Sequence, residues 1–228
     1  MKMEVLNDAD AVARRAAQVI ASSAREAVKE RGRFIMAVSG GKTPWAMLRD
    51  LANEDVPWDK VHIFQIDERI APAGDKDRNL THLHESLLNH APVRKDQIYA
   101  MPVNEQDLDA AAAQYAETLR NIAGSPAILD LAHLGMGPDG HTASLVPNDP
   151  VLNVTDRDVA LTGEYQGRHR MTLTYPIINR SRHILWLMTG PEKVDMLRRL
   201  READTSIPAG RVNQQNALIL ADRAAAGS

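Results

Sequence analysis

The chain has 228 residues, 44% of them hydrophobic and 25% charged, a balance typical of a globular protein that buries roughly 70% of its unfolded surface. Its 27 lysines and arginines and 30 aspartates and glutamates give a formal charge of -3, which excludes a broad cationic face for nucleic acid or anionic lipid. It contains no cysteine, which excludes disulfides, thiolate nucleophiles and cysteine-ligated zinc or iron–sulfur sites.

The predicted elements begin with an amphipathic helix over residues 7–31, which has Asp8 at its start and apolar residues at three- and four-residue spacing. Residues 33–38 then form a short apolar run, which the turn Ser39-Gly40-Gly41 ends. Thr43-Pro44 supplies an N-cap and a first-turn proline for a second helix. This stretch therefore predicts a strand, a glycine-rich turn and a helix.

The same alternation continues toward the C-terminus. Further strands are predicted over residues 61–66, 98–101, 128–134, 171–174, 184–188 and 217–220. Further helices are predicted over residues 79–89, 107–122 and 191–202. Strands that alternate with helices of this length predict an α/β fold with a mostly parallel sheet, covered by helices on both faces. We expect one domain over residues 1–228, or two closely merged lobes.

The segments that follow the strands carry most of the reactive side chains. In parallel sheets, ligands bind outside the carboxyl ends of the strands, so these segments are expected to line one crevice. They are Ser39-Gly40-Gly41-Lys42-Thr43, Asp67-Glu68-Arg69, residues 135–141 and residues 189–193.

The loop Ser39-Gly40-Gly41-Lys42-Thr43 leaves a strand and enters a helix, so its N–H groups and hydroxyls could surround a phosphate at the positive end of that helix. It is not a Walker loop, because Met36 stands where the first glycine should be. A plain tight turn is the alternative.

Two other hypotheses concern glycine-rich stretches. Ala37-Val38-Ser39-Gly40-Gly41 approximates the nucleophile elbow of serine hydrolases, but Lys42-Thr43-Pro44 suits an anion better than a nucleophile. Residues 135–140 match the glycine spacing of a dinucleotide site. Pro138 and Asp139 disfavour that interpretation, because a pyrophosphate needs free N–H groups at these positions.

His141 is the candidate general base, and Asp139 stands two residues before it in the same loop. A histidine can take a proton from water near neutral pH, and such a base typically contributes about 10² to 10⁴ in rate. A lone histidine is more often structural, but this one occupies a glycine-rich loop at the end of a strand, where packing roles are scarce.

Three cations are candidates for substrate contacts. Arg69 could stabilise the oxyanion that forms when water adds to a carbonyl. Arg170 and Lys193 could hold a phosphate, and Lys193 at a helix start would have its charge balanced by an anionic ligand. Each could instead be a solvated surface charge. His82, His84 and His90 do not have metal-ligand spacing, so we predict no metal.

Four stretches together resemble the 6-phosphogluconolactonase family. They are Ser39-Gly40-Gly41-Lys42-Thr43-Pro44, Asp67-Glu68-Arg69, residues 134–144 and Met171-Thr172-Leu173-Thr174. The resemblance implies hydrolysis of 6-phospho-D-glucono-1,5-lactone to 6-phosphogluconate in the pentose phosphate pathway, without metal or organic cofactor. It also implies a three-layer α/β/α sandwich shared with glucosamine-6-phosphate deaminases. Arg78 departs from the family pattern, in which a serine is usual at this position.

The sister deaminases are the second hypothesis. They resemble this chain, but they have Asp-Glu-Tyr where it has Asp67-Glu68-Arg69, and they carry a Phe-Asn-Glu-Pro run where it has Leu145-Val146-Pro147-Asn148. The third hypothesis is a non-catalytic sugar-phosphate sensor, which would need a DNA-binding module that the chain has no residues to supply.

The expected mechanism uses an activated water and no covalent intermediate. Arg170, Lys193 and the loop over residues 39–43 hold the phosphate, His141 with Asp139 activates water, and Arg69 meets the carbonyl oxygen. The expected supporting residues are Asp67, Asn79 and Gly137. We expect a small sugar-phosphate lactone as the partner, with no nucleic acid or membrane contact. We further expect a monomer or weak homodimer in the cytoplasm, since Met1 to Val5 lack the apolar run of a secretion signal.

Overall fold

The computed structural model describes residues 1–228 and contains ten β-strands and seven α-helices. The strands are β1 (Lys2–Leu6), β2 (Phe34–Val38), β3 (Val61–Gln65), β4 (Asp67–Arg69), β5 (Ile98–Tyr99), β6 (Leu131–Leu134), β7 (Val159–Leu161), β8 (Arg170–Leu173), β9 (His183–Met188) and β10 (Ala217–Asp222). The helices are α1 (Ala9–Arg31), α2 (Lys42–Leu51), α3 (Asn79–Leu83), α4 (Leu108–Ala123), α5 (Tyr175–Arg180), α6 (Val194–Arg201) and α7 (Arg223–Ala226).

Seven strands form the main sheet in the order β1-β10-β9-β6-β2-β3-β5, and every neighbouring pair in it is parallel. This confirms the predicted α/β class with a mostly parallel sheet. The strands that follow β2 directly, β3 and β5, lie on one side of it, whereas β6, β9 and β10 lie on the other. The order in which strands are added to the sheet therefore reverses between β2 and β6. In open parallel sheets such a switch point opens a crevice at the carboxyl ends of the strands.

Two hydrophobic cores cover the two faces of this sheet. Along β2, Ile35 and Ala37 point into one core and Phe34, Met36 and Val38 into the other, as the period of two in a strand requires. Helices α4, α5, α6 and α7 contribute to the first core, and α1, α2 and α3 contribute to the second. The result is the three-layer α/β/α sandwich that the family resemblance implied.

The long first helix has the ends that the sequence predicts. The Asp8 side chain accepts a hydrogen bond of 2.8 Å from the N–H of Ala11, and Gly32 ends the helix at φ 75°. Despite its 23 residues α1 is amphipathic, and no helix of the protein combines the length and apolar character needed to cross a membrane.

A second, three-stranded sheet was not predicted. It has the order β4-β8-β7, and both of its pairs are antiparallel. The predicted strand over residues 171–174 is present as β8, but it lies in this small sheet and not in the main one. Asp67-Glu68-Arg69 forms β4, in which Asp67 pairs with Thr172 and Arg69 with Arg170. The small sheet therefore places two of the predicted site cations side by side.

Helix boundaries near the site also differ from the prediction. Helix α2 begins at Lys42 with Gly41 as its N-cap, so Thr43 is not the N-cap, and its hydroxyl lies 2.7 Å from that of Thr189 instead. The predicted helix over residues 79–89 is α3 followed by one π-helical turn, His84–Leu88. The predicted helix over residues 191–202 opens with a 3₁₀ turn, Pro191–Lys193, before α6.

Candidate active site

A cavity of about 370 Å³ opens at the carboxyl ends of β2, β3, β6 and β9. Its walls include all of the residues predicted to bind substrate: Ser39, Gly40, Gly41, Lys42, Thr43, Asp67, Asn79, Gly137, Arg170 and Lys193. Two of the predicted catalytic residues, His141 and Arg69, also line it. The third, Asp139, lies behind His141. Segments that are distant in sequence thus meet at one rim of the sheet, as the strand pattern predicted.

The imidazole of His141 is held from behind by a carboxylate. Its Nδ1 lies 2.5 Å from Oδ1 of Asp139, and the same oxygen accepts a bond of 3.2 Å from the His141 N–H. Partial burial opposes the negative charge on Asp139, but the hydrogen bonds and charge of His141 and a bond from Tyr165 outweigh it and hold the pKa of this carboxyl below its usual value. The ionised carboxylate fixes the ring, so that Nε2 is the nitrogen left for a water or a substrate.

Gly137 makes room for this histidine. A Cβ built on Gly137 would stand 2.0 Å from Cε1 and 2.1 Å from Nδ1 of the His141 ring. Its N–H also donates to the His141 carbonyl at 2.9 Å, which closes the loop tightly. The structure therefore gives Gly137 a steric reason to be glycine in addition to its place in the cavity wall.

Arg170 enters the cavity floor from β8 and is only 4% exposed. Its Nε–H is buried and has no hydrogen-bond partner, and its guanidinium carbon lies 4.9 Å from the centre of the Tyr165 ring. Burial lowers the pKa of Arg170 from its ordinary value, against the opposing charge of Asp67. A buried arginine with a free donor is a site at which an anion would be favourable.

Arg69 and Asn79 form another part of the cavity wall. Nη1 of Arg69 donates to Oδ1 of Asn79 at 2.7 Å, and the amide of Asn79 donates to the Asp67 carbonyl at 2.9 Å. The Asp67 carboxylate in turn accepts a bond of 2.6 Å from the hydroxyl of Ser144. These bonds fix Arg69 while leaving part of its guanidinium free to meet a ligand.

A buried carboxylate, Glu68, organises that wall. It is fully buried and accepts bonds of 2.8 Å from the N–H groups of Arg69, Asn79 and Leu80, while Nε of Arg78 lies 3.4 Å from it. A negative charge at the start of α3 satisfies N–H groups that have no partner within the helix. Glu68 thereby joins β4 to α3, and Arg78 partly balances its charge.

Ser39 is placed at the cavity but is already hydrogen-bonded. Its hydroxyl donates to the carbonyl of His133 at 3.0 Å, its N–H donates to Nδ1 of His133 at 3.2 Å, and the residue is 5% exposed. Such a hydroxyl is poorly placed to act as a nucleophile. The free donors of this loop are therefore the N–H groups at the start of α2, at Gly41, Lys42 and Thr43.

Lys193 closes the site from the side of β9. Its ammonium group donates to the carbonyl of Met136, in the histidine loop, at 2.7 Å. The predicted phosphate-binding lysine and the predicted base are therefore on the same rim. Glu192 also lines the cavity, so the wall is not uniformly cationic. No group of three or more histidines, aspartates and glutamates has a metal-binding arrangement, and the prediction that no metal or organic cofactor is needed stays a prediction.

Two contributions to the site were not identified from the sequence. Tyr165 donates to Asp139 at 2.9 Å, and Glu68 accepts the N–H of Asn79 and so supports the wall that carries Arg69. The turn at Gln166-Gly167, just before β8, is the one local signal that could have placed Tyr165 beside Arg170. For Glu68 there was no such signal, because a carboxylate between two charged residues is usually exposed.

Comparisons with known proteins place the chain among sugar-phosphate enzymes. A family model described as glucosamine-6-phosphate isomerases/6-phosphogluconolactonase matches residues 7–220. A 6-phosphogluconolactonase of Mycobacterium tuberculosis (strain H37Rv) is 38% identical, and the alignment covers 98% of this chain and 96% of that protein.

Solved structures agree with this placement. The crystal structure of a 6-phosphogluconolactonase from Thermotoga maritima superposes with a TM-score of 0.86 at 26% identity, covering 97% of this chain and 98% of that one. A monomeric glucosamine-6-phosphate deaminase superposes with a TM-score of 0.85 at 20% identity, covering 100% and 99% of the two chains. This second likeness shows the fold alone, and it confirms the expected deaminase-like architecture.

Proposed function

Because the chain belongs to the family of glucosamine-6-phosphate isomerases and 6-phosphogluconolactonases and is a hydrolase of the lactonase kind, we propose that it opens 6-phospho-D-glucono-1,5-lactone to 6-phospho-D-gluconate in the pentose phosphate pathway. One observation carries the proposal. The paired side chains of His141 and Asp139 stand at the same cavity as the cations Arg170 and Lys193. A lactone with an anionic tail needs both a base for water and an anchor for the phosphate.

The phosphate is held first, and this sets the orientation of the lactone. Arg170 and Lys193 supply positive charge, and the N–H groups of Gly41, Lys42 and Thr43 at the start of α2 supply hydrogen bonds. Asn79 and Asp67, which line the same cavity, contact the ring hydroxyls of the lactone. Holding the substrate at several points turns the attack of water into an effectively unimolecular step.

Water then attacks the lactone carbonyl. His141 removes a proton from the water as its oxygen bonds to carbon, and Asp139 stabilises the imidazolium that forms. Arg69 faces the carbonyl oxygen as that oxygen gains negative charge. The tetrahedral intermediate collapses, the bond from carbon to the ring oxygen breaks, and His141 returns its proton to the ring oxygen. The carboxylic acid that remains loses its proton to solvent, and 6-phosphogluconate is released with no covalent enzyme intermediate.

The proposal extends to the setting of the reaction. We place the reaction in one domain over residues 1–228, acting as a monomer or weak homodimer, without a metal or cofactor and without a nucleic-acid or membrane partner. A doubly charged sugar phosphate does not cross a bilayer unaided, so the enzyme must share the compartment in which its substrate forms, and we propose the cytoplasm.

The test is to follow loss of the lactone by NMR, because lactones also hydrolyse spontaneously and the uncatalysed rate must be subtracted. We expect rapid loss of the 6-phosphorylated lactone and a much slower enzymatic loss of the unphosphorylated one. Ammonia release from glucosamine 6-phosphate, the reaction of the sister deaminases, should be absent. Ammonia release without lactone hydrolysis would overturn this proposal and establish glucosamine-6-phosphate deamination as the activity instead.

A further inference from the structure

Tyr165 lies in the connection between β7 and β8, at the edge of the cavity. The turn is fixed by hydrogen bonds between the main chains of Tyr165 and Arg168, and Gln166 and Gly167 have φ values of 52° and 75°. Two successive positive φ angles are typical of a type I′ hairpin turn. Arg168 also lies 3.2 Å from the Asp77 carboxylate, which ties the turn to the neighbouring loop. Tyr165 is therefore presented by a fixed hairpin.

Its side chain contacts both the proposed base with its carboxylate and a proposed phosphate anchor. The hydroxyl donates to Oδ2 of Asp139 at 2.9 Å and lies 3.4 Å from Nδ1 of His141. The ring packs edge-on against the His141 ring, with 5.3 Å between centroids, and its face carries the Arg170 guanidinium at 4.9 Å. One half-buried tyrosine thus contacts the proposed base, the carboxylate behind it and a proposed phosphate anchor.

The hydroxyl gives the second oxygen of the Asp139 carboxylate its hydrogen-bond donor. Oδ1 of Asp139 is occupied by His141, and Oδ2 has Tyr165 as its partner. Without that second bond, the carboxylate could rotate about its own axis, and the histidine ring would follow. The other charged groups at this corner are Arg170, Arg69 and Asp67. Burial and the charge of Arg69 lower the pKa of Arg170, and the charge of Asp67 raises it.

We infer that Tyr165 is a positioning residue for lactone hydrolysis: its hydroxyl fixes the Asp139 carboxylate that orients His141, and its ring supports Arg170. The inference rests on the proposed function. Nothing in the reaction requires Tyr165 to touch the substrate, so it acts through Asp139 and Arg170. A purely structural role in the hairpin predicts a different outcome, because the hydroxyl makes no bond to the hairpin main chain.

The decisive variant is Tyr165→Phe, which keeps the ring and removes the hydroxyl. We expect kcat for the phosphorylated lactone to fall about tenfold, with KM nearly unchanged because the support of Arg170 remains. The pKa of the Asp139 carboxyl should rise in the variant, because its charged form loses the hydrogen bond from Tyr165 that helps to lower it. Tyr99→Phe is the matched control: its hydroxyl pairs with Nδ1 of His62 at 3.0 Å, away from the cavity, and kcat should not change.

A double-mutant cycle separates positioning from folding. If Tyr165 acts through Asp139, then Tyr165→Phe should lower kcat less than twofold in an Asp139→Asn background. The same tenfold loss in both backgrounds, or no loss and no rise in the pKa of Asp139 in the single variant, overturns the inference. Tyr165→Leu, which also removes the ring, should in addition raise KM.

The rate of lactone hydrolysis by the wild-type protein distinguishes a failure of the proposed function from a failure of the role proposed for Tyr165. If the wild-type protein does not accelerate lactone loss, the proposed function has failed whatever the variants do. The NMR titration of the Asp139 carboxyl carbon in the wild type and in Tyr165→Phe needs no substrate. Because the hydrogen bond from Tyr165 helps to lower the pKa of this carboxyl, the midpoint should lie at higher pH in the variant, and identical titrations would overturn the role of Tyr165 on their own.

Discussion

The ammonium group of Lys193 lies 2.7 Å from the carbonyl oxygen of Met136, so the start of the segment after β9 is tied to the loop that carries the histidine. A lysine at a helix start opposes the helix dipole, and one carbonyl oxygen balances only part of its charge. The remaining N–H donors of Lys193 are the ones available to a phosphate. This contact links the anchor for the substrate to the loop that activates water.

Lys193→Met should weaken binding of the phosphate and leave the catalytic groups in place. The methionine keeps the length of the side chain but removes the charge. We expect KM for the 6-phosphorylated lactone to rise about 10- to 100-fold, since a hydrogen bond to a charged group contributes about 1.5–3 kcal/mol. Hydrolysis of the unphosphorylated lactone should change much less. Lys95→Met, an exposed lysine elsewhere, is the control. An equal loss for both lactones would mean that the ammonium only holds the loop.

His141→Ala should slow the phosphorylated lactone by about 10² to 10⁴ in kcat, which is the usual contribution of a positioned base. KM should change little, because the cations that hold the phosphate remain. His90→Ala, a surface histidine whose ring bonds only to the carbonyl of Glu85, is the control and should behave as wild type. Equal NMR rates for the wild type and His141→Ala would refute the assignment of the base.

Ser39→Ala tests the rival in which Ser39 is a nucleophile. The hydroxyl donates to the His133 carbonyl and faces no base, so we expect kcat to stay within about threefold of wild type and stability to fall by about 1 kcal/mol. Mass spectrometry of a quenched reaction should find unmodified protein. An acyl adduct on Ser39, together with an inactive variant, would establish the serine mechanism instead.

Gly137→Ala should be far more harmful than its size suggests. The new methyl group would stand 2.0 Å from Cε1 of His141, so the ring or the loop must move, and a displacement of about 1 Å can cost about 10² in rate. Gly135→Ala lies two residues away in the same loop and meets nothing within 4 Å, so it is the matched control. Comparable kcat values for the two variants would show that the loop absorbs the methyl group.

The location of the site could be predicted from the sequence because the sheet is parallel. Short apolar runs alternating with helices fix the direction of each strand, and all carboxyl ends then meet at one edge. Ser39 after β2, Gly137 after β6 and Lys193 after β9 could therefore be grouped from the sequence alone. That argument needs only the order of the elements.

The small antiparallel sheet could not be predicted in the same way. Asp67 pairs with Thr172 across more than a hundred residues, and a strand of three charged residues carries no pattern that names its partner. The hydroxyl of Tyr165 reaches Asp139 from a hairpin that only the three-dimensional packing places there. Glu68 looks exposed in sequence because the N–H groups that justify its burial belong to α3. Such contacts depend on tertiary structure.

The stability of the protein should depend on pH through one buried histidine. His133 is fully buried, and burial lowers its pKa to about 3, whereas an exposed histidine titrates near pH 6.5. Between these two values the unfolded chain binds one more proton than the folded chain at this residue. The contribution of the neutral histidine is therefore fully present above pH 6.5 and is lost as pH falls toward 3, by about 1.4 kcal/mol per pH unit well inside that window.

His133→Asn should remove this sensitivity while keeping an acceptor for the N–H of Ser39. Urea unfolding at pH 7 and pH 5 should show that the wild type loses about 2 kcal/mol more than the variant between the two pH values. His183→Asn, at the exposed start of β9, is the matched control and should follow the wild-type change. If the wild type and His133→Asn lose the same stability, His133 takes up its proton without unfolding and the argument from burial is wrong.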